Sequence, residues 1–289
     1  MRVNKSSVKI VVPTYNAGDK FSAFIKAVKN QLNVMPEDVL IIDSSSVDNT
    51  VMLAKQAGFS VTIIPHDNFS HGGTRAGAVD HSDAEIIVFL TQDAILAKTD
   101  SIEKLIAVFK DEKIAAVYGR QLPNAGANAF SAFARLFNYG DKSFINKLED
   151  RKTKGIKVAF FSDSFSAYRR ESLLSIGNLD KDIQYGEDMV AAAKLLLAGY
   201  ETAYCSEACV YHSHNFSLLD EFNRYRETGS FHKRERWLLK EFGKAEGEGL
   251  KFVLAELQYL FNQEKFYLIP LAFVRNFAKY VGYWVGMHF

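Results

Sequence analysis

Four carboxylates, one arginine and a pair of histidines stand in this sequence where chemistry is commonly done. The run Ile86-Ile87-Val88-Phe89-Leu90-Thr91-Gln92-Asp93-Ala94 is apolar until it stops on a lone acid. A buried strand ending this way puts Asp93 just past the carboxyl end of a sheet strand, the position at which open α/β sheets bind ligands. A helix cap or turn explains a single such acid equally well. Asp43 repeats the pattern in Asp43-Ser44-Ser45-Ser46-Val47-Asp48-Asn49-Thr50, where the acid precedes the turn and the hydroxyls after it either cap a helix or bond a ligand. In His66-Asp67-Asn68-Phe69-Ser70-His71-Gly72-Gly73-Thr74-Arg75, two glycines let backbone approach a ligand and Arg75 offers a fork suited to phosphate, unless the stretch is a solvated turn. Glu187-Asp188 follows Gly186 at the start of a helical pattern, where the dipole stabilises acids and where an open cleft suits a general base. His212-Ser213-His214 follows a strand-like run, so alternation points both imidazoles to one face, toward a divalent-metal site if Asp93 is near.

The elements that must position these groups alternate in type. Short β-branched runs at 8–13, 39–43, 60–64, 85–90 and 114–118 are separated by helical spacings such as Phe21-Phe24-Ile25-Val28 and Ile102-Leu105-Ile106-Phe109. That alternation predicts βαβ units and a parallel sheet flanked by helices. Residues 120–156 change character, with a small polar stretch and then a charged one, and read as a functional loop or lid. A strand is expected at Val158-Ala159-Phe160-Phe161, and the chain beyond Leu218 reads as helical. The expected division is a catalytic domain over 1–215, with halves 1–119 and 120–215, and a helical region over 216–289.

Composition bounds the functions. The 289 residues are 48% hydrophobic, enough for a sizeable core, and their net charge of +1 offers no general attraction for nucleic acid. Cys205 and Cys209 have no partners at zinc-ligand spacing and read as reduced core residues of a reducing compartment. Residues 1–9 are polar and lead straight into a strand, so no secretory leader is expected and the chain is placed in the cytoplasm. No uncharged apolar run reaches the ~18 residues of a membrane span. The turn Pro13-Thr14-Tyr15-Asn16-Ala17-Gly18 lacks Gly-x-Gly-x-x-Gly, which removes the dinucleotide cradle of dehydrogenases.

Taken in order, Val11-Val12-Pro13-Thr14-Tyr15-Asn16, the Asp43 to Thr50 segment, the acidic stop at Asp93 and Gly186-Glu187-Asp188 resemble the family 2 inverting glycosyltransferases of the GT-A fold, over roughly 8–214. Phe69-Ser70-His71-Gly72-Gly73-Thr74-Arg75, Thr91-Gln92-Asp93-Ala94, His212-Ser213-His214 and the tail Lys279-Tyr280-Val281-Gly282-Tyr283-Trp284-Val285-Gly286 are similar to the bacterial rhamnosyltransferase branch, which builds O-antigen and other cell-wall polysaccharides. The resemblance implies a mostly parallel central sheet with a helical C-terminal extension. It implies a nucleotide-diphosphate sugar donor, dTDP-L-rhamnose in the narrow reading and a UDP-hexose in the alternative. Pro13, Thr14, Tyr15, Asn16, Asp43, Ser45, Gly72, Gly73, Arg75 and Gln92 would form the donor site, with Asp43 on the base and Arg75 at the diphosphate. Asp93, His212 and His214 would bind Mg²⁺ or Mn²⁺, although Gln92 replaces an acid of the family's more acidic metal motif. Asp188 with Glu187 would be the catalytic pair, and Ser162 and Asp163 would meet a saccharide or lipid-linked saccharide acceptor. A nucleotidyltransferase is the competing enzyme class, and it needs a basic, glycine-rich loop after the first strand that is absent here. A nucleotide-sugar-binding scaffold is the non-enzymatic alternative, and it has no use for Glu187-Asp188 beside a cleft.

Residues 265–289 carry three basic side chains and no acidic one, interleaved with aromatics. That pattern suits a helix lying in a membrane interface at the inner leaflet, or one packed on the core or on a second subunit as a homodimer element.

Overall fold

The computed structural model describes residues 8–245 and 247–289. The expected absence of a leader concerns residues that lie mostly outside that range. The strands are β1 (Val8–Thr14), β2 (Val39–Asp43), β3 (Ser60–Ile63), β4 (Ile86–Leu90), β5 (Ile95–Leu96), β6 (Ile114–Leu122), β7 (Phe144–Asn146), β8 (Phe165–Arg169) and β9 (Glu201–Tyr211). The helices are α1 (Phe21–Lys29), α2 (Thr50–Gln56), α3 (His71–Asp80), α4 (Ser101–Ala107), α5 (Ala129–Asn138), α6 (Arg151–Lys154), α7 (Arg170–Ser175), α8 (Glu187–Leu197), α9 (Leu218–Arg234), α10 (Arg236–Phe242), α11 (Glu248–Asn262) and α12 (Ile269–His288).

The strands form one sheet in the order β3-β2-β1-β4-β8-β6-β9-β5, with β7 on β9. The parallel order expected from sequence holds across β3, β2, β1 and β4, and the sheet continues with antiparallel pairings of β8 on β4 and on β6. β4 is buried along its whole length, as a central strand covered on both faces must be. Because β1 pairs with β2 on one side and β4 on the other, the loops leaving β1 and β4 diverge at a topological switch point. Thr14 lies opposite Asp43 in the register, so the polar ends of β1 and β2 share one edge.

Two expectations need correction. Val158 and Ala159 close a 3-10 turn, Gly155–Ala159, and the strand comes later, at β8. The run is apolar because Val158, Ala159 and Phe161 are buried, with Phe160 and Phe161 edge-on to Tyr118, and burial without periodicity does not distinguish strand from packed coil. The segment 120–156 is not a loose lid. It holds the end of β6, the amphipathic α5, β7 and α6, and the small polar stretch before α5 ends in its cap, Asn128, which accepts from Ser131 N at 2.9 Å.

The chain clusters into two compact units. The first runs up to Gln121 and includes Asp141–Leu148 and Ala159–His212; it contains the sheet. The second is Leu122–Gly140, Glu149–Val158 and Ser213–Phe289, and is helical. In the second unit α9 and α12 approach backbone to backbone at Gly229, Gly282 and Gly286. A Cβ on Gly286 would overlap the carbonyl oxygen of Arg226, whereas one on Gly249 would meet nothing within 4 Å. Gly286→Ala is therefore expected to cost about 1–3 kcal/mol and lower the melting temperature. Gly249→Ala, the control, should leave the melting temperature unchanged or raise it; equal melting temperatures for both variants would show that the helices separate freely.

Candidate active site

At the sheet edge the loops after β1 and β2 are tied together by their own side chains. Asp43 is fully buried and saturated locally: Oδ2 accepts from Thr14 Oγ1 (2.8 Å) and Ser46 Oγ (2.6 Å), and Oδ1 accepts from Ser46 N (2.7 Å). The backbone amides of Asn16, Ala17 and Gly18 donate in turn to Ser46 Oγ, Thr50 Oγ1 and Asp48 Oδ2. Asn16 (φ 43°) and Ser45 (φ 62°) hold left-handed backbone that β-carbon sterics disfavour, and Ser45 Oγ anchors its turn by donating to Ile64 O at 2.8 Å. The hydroxyls and acids read as cap or ligand groups thus bond chiefly to the neighbouring loop. Pro13 lies within β1 opposite Ile42.

Gln92 is part of the same bracing. Its Oε1 accepts from Tyr15 N (2.8 Å) and its Nε2 donates to Tyr15 O (3.1 Å), so one amide grips both polar groups of that residue. With its backbone held, the Tyr15 ring stays 45% exposed, 4.4 Å from the exposed ring of His66. An accessible aromatic pair on a rigid edge is a stacking surface.

The segment around Arg75 differs from the ligand-approach loop expected of it. Residues from His71 onward are helix α3, whose cap Ser70 accepts from Gly73 N at 3.0 Å. Gly72 is small because a Cβ there would overlap the backbone oxygen of Asp180, and Gly73 lies against Ser70 and Lys181. Arg75 is 3% exposed and turns inward. Its Nη1 donates to Glu187 Oε1 at 2.6 Å, and its Nε is 3.8 Å from Asp163 Oδ2. The fork that suits phosphate is turned toward carboxylates, with Nη1 bonded to Glu187, because the helical register of α3 directs it into the protein.

Asp163 is likewise buried, with Oδ1 accepting from Ser166 Oγ (2.6 Å) and Tyr168 Oη (2.9 Å). Its backbone N donates to Asp188 Oδ2 at 3.2 Å, while Asp188 Oδ1 accepts from Met189 N at 2.7 Å. Three carboxylates therefore crowd one guanidinium. Loss of water, then the neighbouring Asp188 charge, pushes Glu187 up to about 8. Loss of water and the Asp163 charge push Asp188 up to about 6, and burial raises Asp163 too. Asp188 alone of the three is only partly buried, so it is the carboxylate that an incoming molecule can reach. Ser162 accepts at Oγ from Gln121 Nε2 at 2.9 Å.

Asp93 and His212 are brought together, with Nε2 3.4 Å from Asp93 Oδ1. His212 Nδ1 donates to Gln121 Oε1 at 2.9 Å, so Nε2 can present its lone pair toward the carboxylate. An imidazole nitrogen and a carboxylate oxygen facing each other fit a divalent cation of the Mn²⁺ or Mg²⁺ type. His214 follows two residues on, in the second unit, its ring stacked on Phe216 at 5.5 Å. Gln121, Ser166 and Tyr168 are site residues that sequence reasoning missed, since nothing in their local pattern separates them from ordinary sheet positions.

Residues 9–177 match the family described as glycosyl transferase family 2. The chain is 44% identical, over 97% of its length and 90% of the relative's, to the O-antigen chain rhamnosyltransferase RfbN of Salmonella typhimurium. It is 42% identical to the O-antigen chain rhamnosyltransferase WbaN of Salmonella anatum, over 98% of its own length and 90% of the relative's. Among solved structures it is similar to the mannosyltransferase PcManGT of Pyrobaculum calidifontis in complex with GDP-Man and Mn²⁺, with TM-score 0.65 at 15% identity over 96% of this chain and 86% of that one. TarS of S. aureus aligns with TM-score 0.56 at 14% identity, covering 97% and 90%. These likenesses show the GT-A glycosyltransferase fold.

Glu187 has a folded pKa above its ordinary 4.5, so its contribution to stability is complete below that value and is lost as pH rises through about 8. The wild-type melting temperature is expected to fall as pH rises from about 5 to about 8 and to level off above, and Glu187→Gln to flatten that fall. Parallel slopes for the two proteins would mean that Glu187 does not carry the shift.

Proposed function

The chain belongs to glycosyl transferase family 2 and is a glycosyltransferase, and on that premise we propose that it transfers L-rhamnose from dTDP-L-rhamnose to a hydroxyl of a saccharide acceptor during O-antigen synthesis. The observation that carries the substrate is the match, along nearly the whole chain, to two O-antigen chain rhamnosyltransferases. The nucleobase stacks on the Tyr15 and His66 rings, over an edge shaped by Asp43, Thr14, Asn16 and Ser45. Gly72, Gly73 and Arg75 serve that site from within, by packing and by charge balance.

Asp93 and His212 would hold a divalent ion, whose charge offsets the negative charge that grows on the departing diphosphate. PcManGT, solved with GDP-Man and Mn²⁺, supports that reading. Asp188 takes the proton of the acceptor hydroxyl as its oxygen attacks the anomeric carbon from the face opposite the leaving group. One displacement inverts the centre. With its pKa near 6, Asp188 is ionised at neutral pH yet basic enough to accept that proton. Glu187 and Asp163 hold Asp188 in this state through Arg75 and the Asp163 amide.

On this reading the acceptor lies at the cytoplasmic face of a membrane. No helix among the described residues is long and apolar enough to cross a bilayer. Two of the three basic residues expected to face lipid are buried: Arg275 Nη2 is 2.8 Å and Lys279 Nζ 3.5 Å from Glu221 Oε1. What α12 exposes instead is Phe273, Phe277, Tyr280 and Trp284, spaced four, three and four residues apart on one face. A face of aromatic side chains without cations suits the interfacial region of a bilayer through apolar contact.

Two results are expected. In a panel of nucleotide sugars, dTDP-L-rhamnose should be the donor, and Asp188→Asn should lower turnover about 100- to 10,000-fold while leaving donor binding intact. The wild-type rate should fall about tenfold per pH unit below about 6. Preference for a UDP-hexose would overturn the rhamnosyl reading, and full turnover by Asp188→Asn would remove it as base. In vesicle sedimentation, binding should be nearly the same on zwitterionic and anionic lipid and be lost in Phe277→Ser/Trp284→Ser. Dimerisation through that face without vesicle binding would overturn the membrane reading.

A further inference from the structure

Gln121 sits at the meeting point of two halves of the site, and no charge or motif marks it. It lies near the end of β6, 2% exposed, with its amide engaged at both ends. Oε1 accepts from His212 Nδ1 at 2.9 Å, and Nε2 donates to Ser162 Oγ at 2.9 Å. Ser162 immediately precedes Asp163, whose backbone N donates to Asp188 Oδ2 at 3.2 Å. A continuous line thus runs from Asp93 through His212, Gln121 and the Ser162-Asp163 peptide to Asp188.

Two consequences follow from the chemistry of the amide. An amide oxygen only accepts, so the imidazole nitrogen facing Gln121 must be the one that carries hydrogen. That fixes the tautomer in which Nε2, toward Asp93, keeps a lone pair for a cation. An imidazole without this partner is free to take the other tautomer, which turns an N–H toward the metal position and removes the ligand. The second consequence is spatial. The other end of the same side chain holds the hydroxyl of Ser162, the residue whose peptide to Asp163 donates to Asp188, so one residue links the metal ligand and the base.

We infer that Gln121 is a positioning residue that locks His212 in its metal-ligating tautomer and ties the metal pair to the base. The inference rests on the reading of Asp93 and His212 as metal ligands, and the test separates the two. Mn²⁺ binding is measured by EPR titration of the full chain, with and without dTDP, for wild type, Asp93→Asn, Gln121→Leu and Gln121→Glu. Asp93→Asn should lose Mn²⁺ affinity. Gln121→Leu, which keeps the volume but not the acceptor, should weaken it about 10- to 100-fold. Gln121→Glu, which restores an oxygen acceptor, should recover affinity to within about threefold of wild type.

Circular dichroism distinguishes loss of the fold from loss of the site, and Gln121→Glu reports on the acceptor even if the leucine variant does not fold. If Asp93→Asn loses Mn²⁺ while Gln121→Leu binds as wild type, the positioning role is overturned and the metal reading stands. If Gln121→Glu folds but binds as weakly as a folded Gln121→Leu or Asp93→Asn, the acceptor is not what matters and the role is likewise overturned. If Asp93→Asn binds Mn²⁺ as wild type, the metal reading falls and this inference with it.

Discussion

One buried guanidinium sets the terms for the whole candidate site. Arg75 brings α3, the segment before β8 and the start of α8 to a single point, with Glu187 112 residues away from it in sequence. Burying such charges costs several kcal/mol per ion, which only close and well-directed partners repay. A single positive charge cannot neutralise Asp163, Glu187 and Asp188 together, so the cluster retains proton affinity near neutral pH. That residual basicity is what a general base requires. Placing Arg75 at an exposed diphosphate would have left three acids without a counter-charge and no reason for Asp188 to be more than a helix-terminal carboxylate.

Much of the sheet edge proposed to hold the donor was legible in the sequence because strand ends advertise themselves. Apolar runs stopping at Asp43 and Asp93 located the edge, and parallel topology followed from the alternation of runs and helical spacings. What the runs do not carry is the direction of a side chain in the turn that follows. Thr14, Ser46, Asp48 and Gln92 were legible as polar residues near a ligand, yet their polar atoms bond across loops to Asp43, Asn16, Gly18 and Tyr15. The hydrogen bonds join residues roughly 30 and 77 apart, separations at which a local pattern holds no information.

Glycine misled for a related reason. Gly72-Gly73 before an arginine has the composition of a ligand-approach loop, but the same absence of a Cβ serves equally to let Asp180 backbone close on a helix. In the C-terminal helices the small residues have the packing role too, at Gly229, Gly282 and Gly286. The close approach of α9 and α12 is what draws Arg275 and Lys279 inward onto Glu221, under the rings of Phe130 and Phe252. Composition correctly showed basic and aromatic residues on one segment; only the helix phase shows that they occupy opposite faces.

Gln92 too is explained by where its side chain is directed, onto the Tyr15 backbone. An acid beside Asp93 would place a second negative charge close to the Tyr15 carbonyl, where Gln92 donates. Carboxylates only accept, so an acid would lose that bond and release the backbone that presents the Tyr15 ring. A neutral amide with both a donor and an acceptor grips the peptide in both directions. The proposed cost is carried elsewhere: with one carboxylate fewer, cation binding leans on an imidazole whose orientation must be set by a neighbour. On this edge the amide that braces the Tyr15 backbone stands next to the carboxylate proposed to hold the ion, so the two arrangements are set by adjacent residues.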